Sequence, residues 1–158
     1  MEIVKTLLDS ADVVALQELM LCKRDIHLLN DINKDFDNIA TVKDREMEGI
    51  NEGRPSQGVA IFWRKKISHC VKQVIINDSL IGIVISGKSS RVLLINVYMP
   101  CDLQTLNALD NYRHMVALLE VVIAEQNINN VIVMGDFNAD SRKGRFWNEL
   151  SHFRQSLF

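Results

Sequence analysis

From Glu2 to Ser10 the apolar residues Ile3, Val4, Leu7 and Leu8, with Ala11 just beyond, recur at helical spacing and predict an amphipathic helix. Asp12 to Glu18 (D-V-V-A-L-Q-E) then predicts a short buried strand that ends in polar residues. A helix followed at once by a strand is the second half of a strand–helix–strand unit, so a further strand is expected before Met1. Residues 22 to 35 are mixed and predict a short helix around Arg24 to Asn33, whereas 43 to 56, polar and holding Gly49, Gly53 and Pro55, predict a long exposed loop. Four strand-like runs follow, Gly58–Trp63, Val71–Ile76, Ile81–Ser86 and Arg91–Tyr98, separated by polar turns close enough together to imply antiparallel hairpins. Pro100, which cannot donate to a ladder, ends the last of them. Between Gln104 and Gln126 the residues Leu106, Leu109, Tyr112, Val116, Leu119 and Ile123 again follow helical spacing. Val131–Met134 is an apolar burst that predicts a fully buried strand, running into Gly135-Asp136-Phe137-Asn138-Ala139-Asp140, and Arg145–Phe153 predicts a last amphipathic helix. The order of elements points to a mixed α/β protein with largely antiparallel sheet backed by helices.

Composition narrows the class without deciding it. The 158 residues are 47% hydrophobic and 24% charged, enough apolar material for one packed domain and too much for disorder. A net charge of −2 offers no global attraction for nucleic acid, so any such binding has to rest on a local patch. Cys22, Cys70 and Cys101 are odd in number and widely spaced, which speaks against a disulfide framework or a structural zinc site and for a reducing compartment. The N-terminus lacks the basic-then-apolar pattern of a secretory signal, and no apolar run reaches the roughly 18 residues a membrane span needs. A soluble, intracellular protein is expected.

Chemistry gathers at strand ends. Glu18 closes the first strand, Asn96 and Tyr98 close the run from Arg91, and Asp136 and Asn138 follow the last strand. Side chains two apart point the same way in extended backbone, and Gly135 allows a sharp turn or a close approach of backbone to ligand. A carboxylate that can take a proton from water beside an amide that can donate to a phosphate oxygen suits a phosphodiester site. Taken alone, Asp and Asn after a strand more often form a plain turn, their commonest role there. Glu18 is either solvated surface or the single carboxylate with which Mg²⁺, which keeps most of its waters, is content. The Tyr98 hydroxyl suits a phosphate or a packed sheet edge. Arg64-Lys65-Lys66 reads as a solvated turn before it reads as a backbone contact, Trp63, Trp147 and Phe146 as core before stacking platforms, and the four histidines lack ligand spacing.

Taken in order, V-A-L-Q-E (14–18), Q-G-V-A-I-F (57–62), L-I-N-V-Y-M-P (94–100) and V-I-V-M-G-D-F-N-A-D (131–140) resemble the endonuclease/exonuclease/phosphatase family, which includes deoxyribonuclease I and the apurinic endonucleases. The strings look most like the endonuclease domain of non-LTR retrotransposons and proteins derived from it. The resemblance implies a partial four-layer α/β/β/α sandwich, with mostly antiparallel sheets and flanking helices, over a single domain, residues 1–158, lacking the first strand and the C-terminal strands. It implies Mg²⁺, with Mn²⁺ as a substitute, held by Glu18. Tyr98 becomes a phosphate contact, Asp136 the group that orients or deprotonates the attacking water, and Asn138 the holder of the substrate phosphate. DNA is the implied substrate, cut by a Mg²⁺-dependent endonuclease of retrotransposon type, and no membrane is involved. Two departures set expectations: the family's first strand, with its asparagine, has no counterpart, and no S-D-H string follows Asp140. Impaired turnover is expected, with a partner chain or dimer mate completing the second sheet. A non-catalytic scaffold that keeps the fold, a piece of a longer gene product, and a lipid phosphodiesterase are the alternatives.

Overall fold

Residues 2–43, 58–101, 107–140 and 144–156 are described by a computed structural model. Helix α1 (Glu2–Ser10) leads into β1 (Val13–Gln17), a 3₁₀ segment (Lys23–Asp31) and β2 (Phe36–Thr41). Strand β3 (Val59–Arg64) is followed by a second 3₁₀ segment (Lys65–Cys70) and the strands β4 (Val71–Asn77), β5 (Leu80–Ser86) and β6 (Arg91–Tyr98). Helix α2 (Ala108–Gln126), β7 (Asn130–Asp136) and α3 (Arg145–Ser156) complete the order. The loop expected over 43–56 lies, apart from Lys43, outside the described residues, as does the expected start of α2 at Gln104.

The strands form two sheets, β1-β3-β2, wholly antiparallel, and β4-β5-β6-β7, in which only β6 and β7 run parallel. That parallel pair requires a crossover, and α2 supplies it. Side-chain alternation along the strands sorts the apolar residues into three layers of core. In β3, Val59, Ile61 and Trp63 face the second sheet, meeting Ile81 and Ile83 of β5 and Leu94 of β6. Ala60 and Phe62, on the other face of β3, pack with Leu8 of α1 and Leu29 of the first 3₁₀ segment. Leu93, Ile95 and Val97 of β6 point away from the first sheet, to Tyr112, Val116 and Leu119 on α2 and Phe146 and Phe153 on α3. Helix, sheet, sheet, helix: the four layers are those expected, and each gap between layers is filled by its own apolar cluster.

Three expectations need correcting. Strand β2 was not anticipated, because Phe-Asp-Asn-Ile-Ala-Thr has poor strand formers; it exists because its backbone pairs with β3 from Phe36↔Arg64 to Thr41↔Val59, while Phe36 and Ile39 are buried on opposite faces. The helix expected around Arg24–Asn33 is a 3₁₀ segment, Lys23–Asp31. Strand β7 is not fully buried: it forms the edge of its sheet, and Ile132 is 48% exposed. Trp63, by contrast, is core as expected, and Arg64 and Lys66 both pair with Asp12, at 2.9 and 2.8 Å.

Candidate active site

The parallel pairing of β6 and β7 sets Tyr98 beside Asp136, so both side chains leave the same end of the four-stranded sheet. The other sheet reaches the same end through β1. Asn96, fully buried on the inter-sheet face of β6, donates from Nδ2 to the carbonyls of Leu16 and Ala60, each at 2.9 Å, and accepts from Gln17 Nε2 at 2.6 Å. One amide therefore ties three strands from two sheets together, two residues before Tyr98 on the same strand. Directly beyond Gln17, Glu18 adopts a left-handed backbone (φ 52°) and turns its carboxylate to the Tyr98 hydroxyl, which donates to Oε1 at 2.6 Å.

The Gly135–Asn138 corner is equally tied. Gly135 has φ 137°, and a Cβ there would sit 1.9 Å from the Val97 carbonyl oxygen, so only glycine lets β7 lie this close to β6. The Met99 N–H donates to the Asp136 carbonyl at 2.8 Å. The Asn138 N–H donates to Asp136 Oδ1 at 2.9 Å, an Asx turn, and the Asn138 Nδ2 donates to the Met99 carbonyl at 2.8 Å. Asn138 is left-handed as well (φ 46°). Extended backbone thus stops at Asp136, and the side chains of Asp136 and Asn138 are brought together by a turn rather than by strand alternation. The turn and the candidate site are the same object.

Left-handed backbone is uncommon outside glycine and is a strained choice for glutamate. Finding it at both Glu18 and Asn138, at one end of a sandwich, marks a place where geometry outranks local comfort. The electrostatics agree. The Tyr98 phenol is pushed up to about 12, first by its hydrogen bond to Glu18, then by burial and by the charges of Glu18, Cys101 and Asp136. It therefore remains a protonated donor at neutral pH. Tyr112 is also pushed up to about 12, by burial and then by the charge of Asp136. All four residues expected from sequence meet at one end of the molecule. Gln17 carries no signal of its own in the sequence, and Tyr112 sits in an apolar stripe as core does, although a buried tyrosine there implies a partner for its hydroxyl. That partner is the Phe137 carbonyl, at 2.9 Å.

No group of three or more His, Cys, Asp or Glu side chains forms a metal cage among the described residues. The donor set nevertheless fits Mg²⁺, which takes one or two carboxylates and keeps its waters, because Glu18 and Asp136 are both exposed and within electrostatic reach of one phenol.

Fold and site together define a two-sheet α/β sandwich with its polar side chains gathered at one end. The model of the endonuclease/exonuclease/phosphatase family matches residues 1–156, and the chain belongs to that family. No curated protein sequence matches it. Among solved structures it is similar to the endonuclease domain of TRAS1, a telomere-specific non-LTR retrotransposon, with TM-score 0.62 and 13% identity over 98% of this chain and 62% of that one. It is similar to a 3′ phosphatase, NExo, from Neisseria bound to a product DNA hairpin, with TM-score 0.64 and 20% identity over 96% and 65%. The human nocturnin catalytic domain with bound sulfate gives TM-score 0.61 and 14% identity over 96% and 62%. These likenesses show the deoxyribonuclease I-like fold. The chain spans less than two thirds of the length of each of these structures.

No described helix is long and apolar enough to cross a membrane.

Proposed function

We propose that the chain carries a Mg²⁺-dependent phosphodiesterase site that acts on DNA, of the retrotransposon endonuclease kind. The observation that carries this reading is the joining of Glu18, Tyr98 and the Asp136–Asn138 turn at one end of the sandwich by hydrogen bonds that reach across both sheets. Asp136 accepts the proton of an attacking water; its Oδ1 takes the Asn138 N–H, which leaves Oδ2 for that work. Asn138 has a second amide hydrogen, besides the one given to Met99, to offer a phosphate oxygen. Tyr98 holds Glu18 and stays neutral, so it can turn to a phosphate oxygen as a donor. Glu18 would hold Mg²⁺, which would supply charge stabilisation on the phosphate. The four histidines lie on the two 3₁₀ segments (His27, His69), on α2 (His114) and on α3 (His152). With no histidine on the described strands of the site, turnover is expected to be slow.

The test is nicking of supercoiled plasmid by the purified chain, with Mg²⁺ and with EDTA, beside Asp136→Ala. The expected result is weak nicking that needs the metal and loses about 100-fold or more with the substitution. Folded protein that never nicks overturns the reading in favour of a non-catalytic scaffold, and nicking that survives Asp136→Ala overturns the role given to Asp136.

A further inference from the structure

The carbonyl of Phe137 and the N–H of Asn138 are two ends of one planar unit, and each end is spoken for. The carbonyl accepts from the Tyr112 hydroxyl at 2.9 Å; the N–H donates to Asp136 Oδ1, also at 2.9 Å. Tyr112 is fully buried in α2, and its ring stacks on Phe146 of α3 with centroids 4.2 Å apart and planes at 26°. Asp136 is exposed, so its orientation depends on hydrogen bonds more than on packing. Asn138 meanwhile holds a left-handed φ of 46°, a conformation that a flip of this peptide would relieve. A flip would carry the N–H away from the Asp136 carboxylate.

We propose that Tyr112 is a positioning residue: its buried hydroxyl pins the Phe137–Asn138 peptide, and the pinned peptide aims the Asp136 carboxylate. The hydroxyl opposes the flip directly, and by polarising the carbonyl it strengthens the N–H as a donor on the far side of the same plane. Helices α2 and α3 thereby reach the reacting end of the sheet without touching substrate. The geometric part stands on the structure alone; its kinetic consequence rests on the function proposed above.

Tyr112→Phe keeps the ring, the stack on Phe146 and the packing, and removes only the hydroxyl. Hydrogen exchange of the Asn138 amide, followed by NMR, is expected to quicken about tenfold or more in the variant while Met115 and Leu119 amides stay unchanged. An unchanged Asn138 amide overturns the proposal. So does a uniform quickening along α2, which would show a merely structural role. In plasmid nicking, kcat is expected to fall between about 10- and 100-fold with KM within about twofold, the mark of misaimed chemistry rather than weakened binding. An unchanged kcat overturns the kinetic part. If the unaltered chain does not nick at all, the functional reading fails and the exchange measurement still decides this one. Should the variant not fold, the Tyr112 hydroxyl proton in the unaltered protein is expected as a slowly exchanging resonance, and its rapid exchange with water overturns the proposal.

Discussion

The hydroxyl of Tyr98 donates to Glu18 Oε1 at 2.6 Å, joining a strand end of the four-stranded sheet to the residue that leaves β1 of the other sheet. The two residues are 80 apart in sequence, so this contact exists only when both sheets are packed. Site and sandwich are consequently one cooperative unit. A perturbation of inter-sheet packing reads out at the carboxylate, and the titration of the phenol reads out on stability.

Tyr98 and Tyr112 are the only tyrosines, and both phenols are pushed up to about 12. Phenolate absorbance of the folded chain is therefore expected to rise near pH 12, with no step near the ordinary value of about 10. The linkage follows in sign: above pH 10 the unfolded chain has released protons that the folded chain still holds, so stability falls with rising pH. The contribution is fully present below pH 10 and lost between 10 and about 12. Tyr98→Phe is expected to flatten the pH dependence of the urea midpoint in that window. A slope identical to that of the unaltered chain would contradict the assignment.

Asn96 is the most consequential polar group in the interior. Asn96→Ala leaves the carbonyls of Leu16 and Ala60 short of a donor and the Gln17 amide short of an acceptor. The expected loss is about 2–4 kcal/mol in urea unfolding. Asn96→Asp is more pointed, since it sets a carboxylate against two carbonyls. It is expected to cost at least as much at neutral pH and to recover in part as the pH falls and the new carboxyl takes up a proton. A loss within experimental error in either variant would mean that the sheets are held by apolar packing alone.

Much of this was legible in the chain, for reasons that differ by element. Helical spacing disclosed α1 and the α2 face of Tyr112, Val116 and Leu119 because these bury one stripe against a sheet. Strand-like runs separated by polar turns disclosed β3 through β6, each of which divides its residues between the clusters on the two faces of its sheet. Strand β2 was hidden because its strand state comes from pairing with β3, not from Asp37 or Asn38. The exposure of Ile132 was hidden because an apolar run does not say how many strands will cover it. Glu18, Tyr98, Asp136 and Asn138 were visible from strand-end polarity and the ordered strings. The bonds that orient them were not, because Tyr112 to Phe137 and Asn138 to Met99 span 25 and 39 residues and depend on the crossover of α2.

Two glycines at positive φ, Gly135 and Gly144, make a controlled comparison. Gly135→Ala would drive a Cβ to 1.9 Å from the Val97 carbonyl oxygen at φ 137°, and the β6–β7 pairing has to open to admit it. A loss of more than about 3 kcal/mol is expected, with disturbance of Asp136. Among the described residues Gly144→Ala meets nothing within 4 Å at φ 74°, so it carries only the left-handed penalty of about 1–2 kcal/mol. Thermal or urea unfolding of the pair checks the order; equal losses would mean that close strand contact is not what requires glycine at 135.

If Glu18 holds Mg²⁺, the ion needs a carboxylate whose rotamer is fixed, and the Tyr98 hydroxyl fixes it through Oε1. Glu18→Gln keeps size and hydrogen-bonding capacity but removes the charge, and is expected to weaken Mg²⁺ or Mn²⁺ binding by about tenfold or more. Tyr98→Phe keeps the charge and frees the rotamer, so a smaller weakening is expected. Calorimetry, or water-proton relaxation with Mn²⁺, measures both without requiring turnover. The order of the two variants is the informative result. Should Tyr98→Phe weaken the ion as much as Glu18→Gln does, the phenol is part of the coordination sphere. Should neither weaken it, the ion sits on another carboxylate, and Asp136→Asn becomes the variant that must lose it.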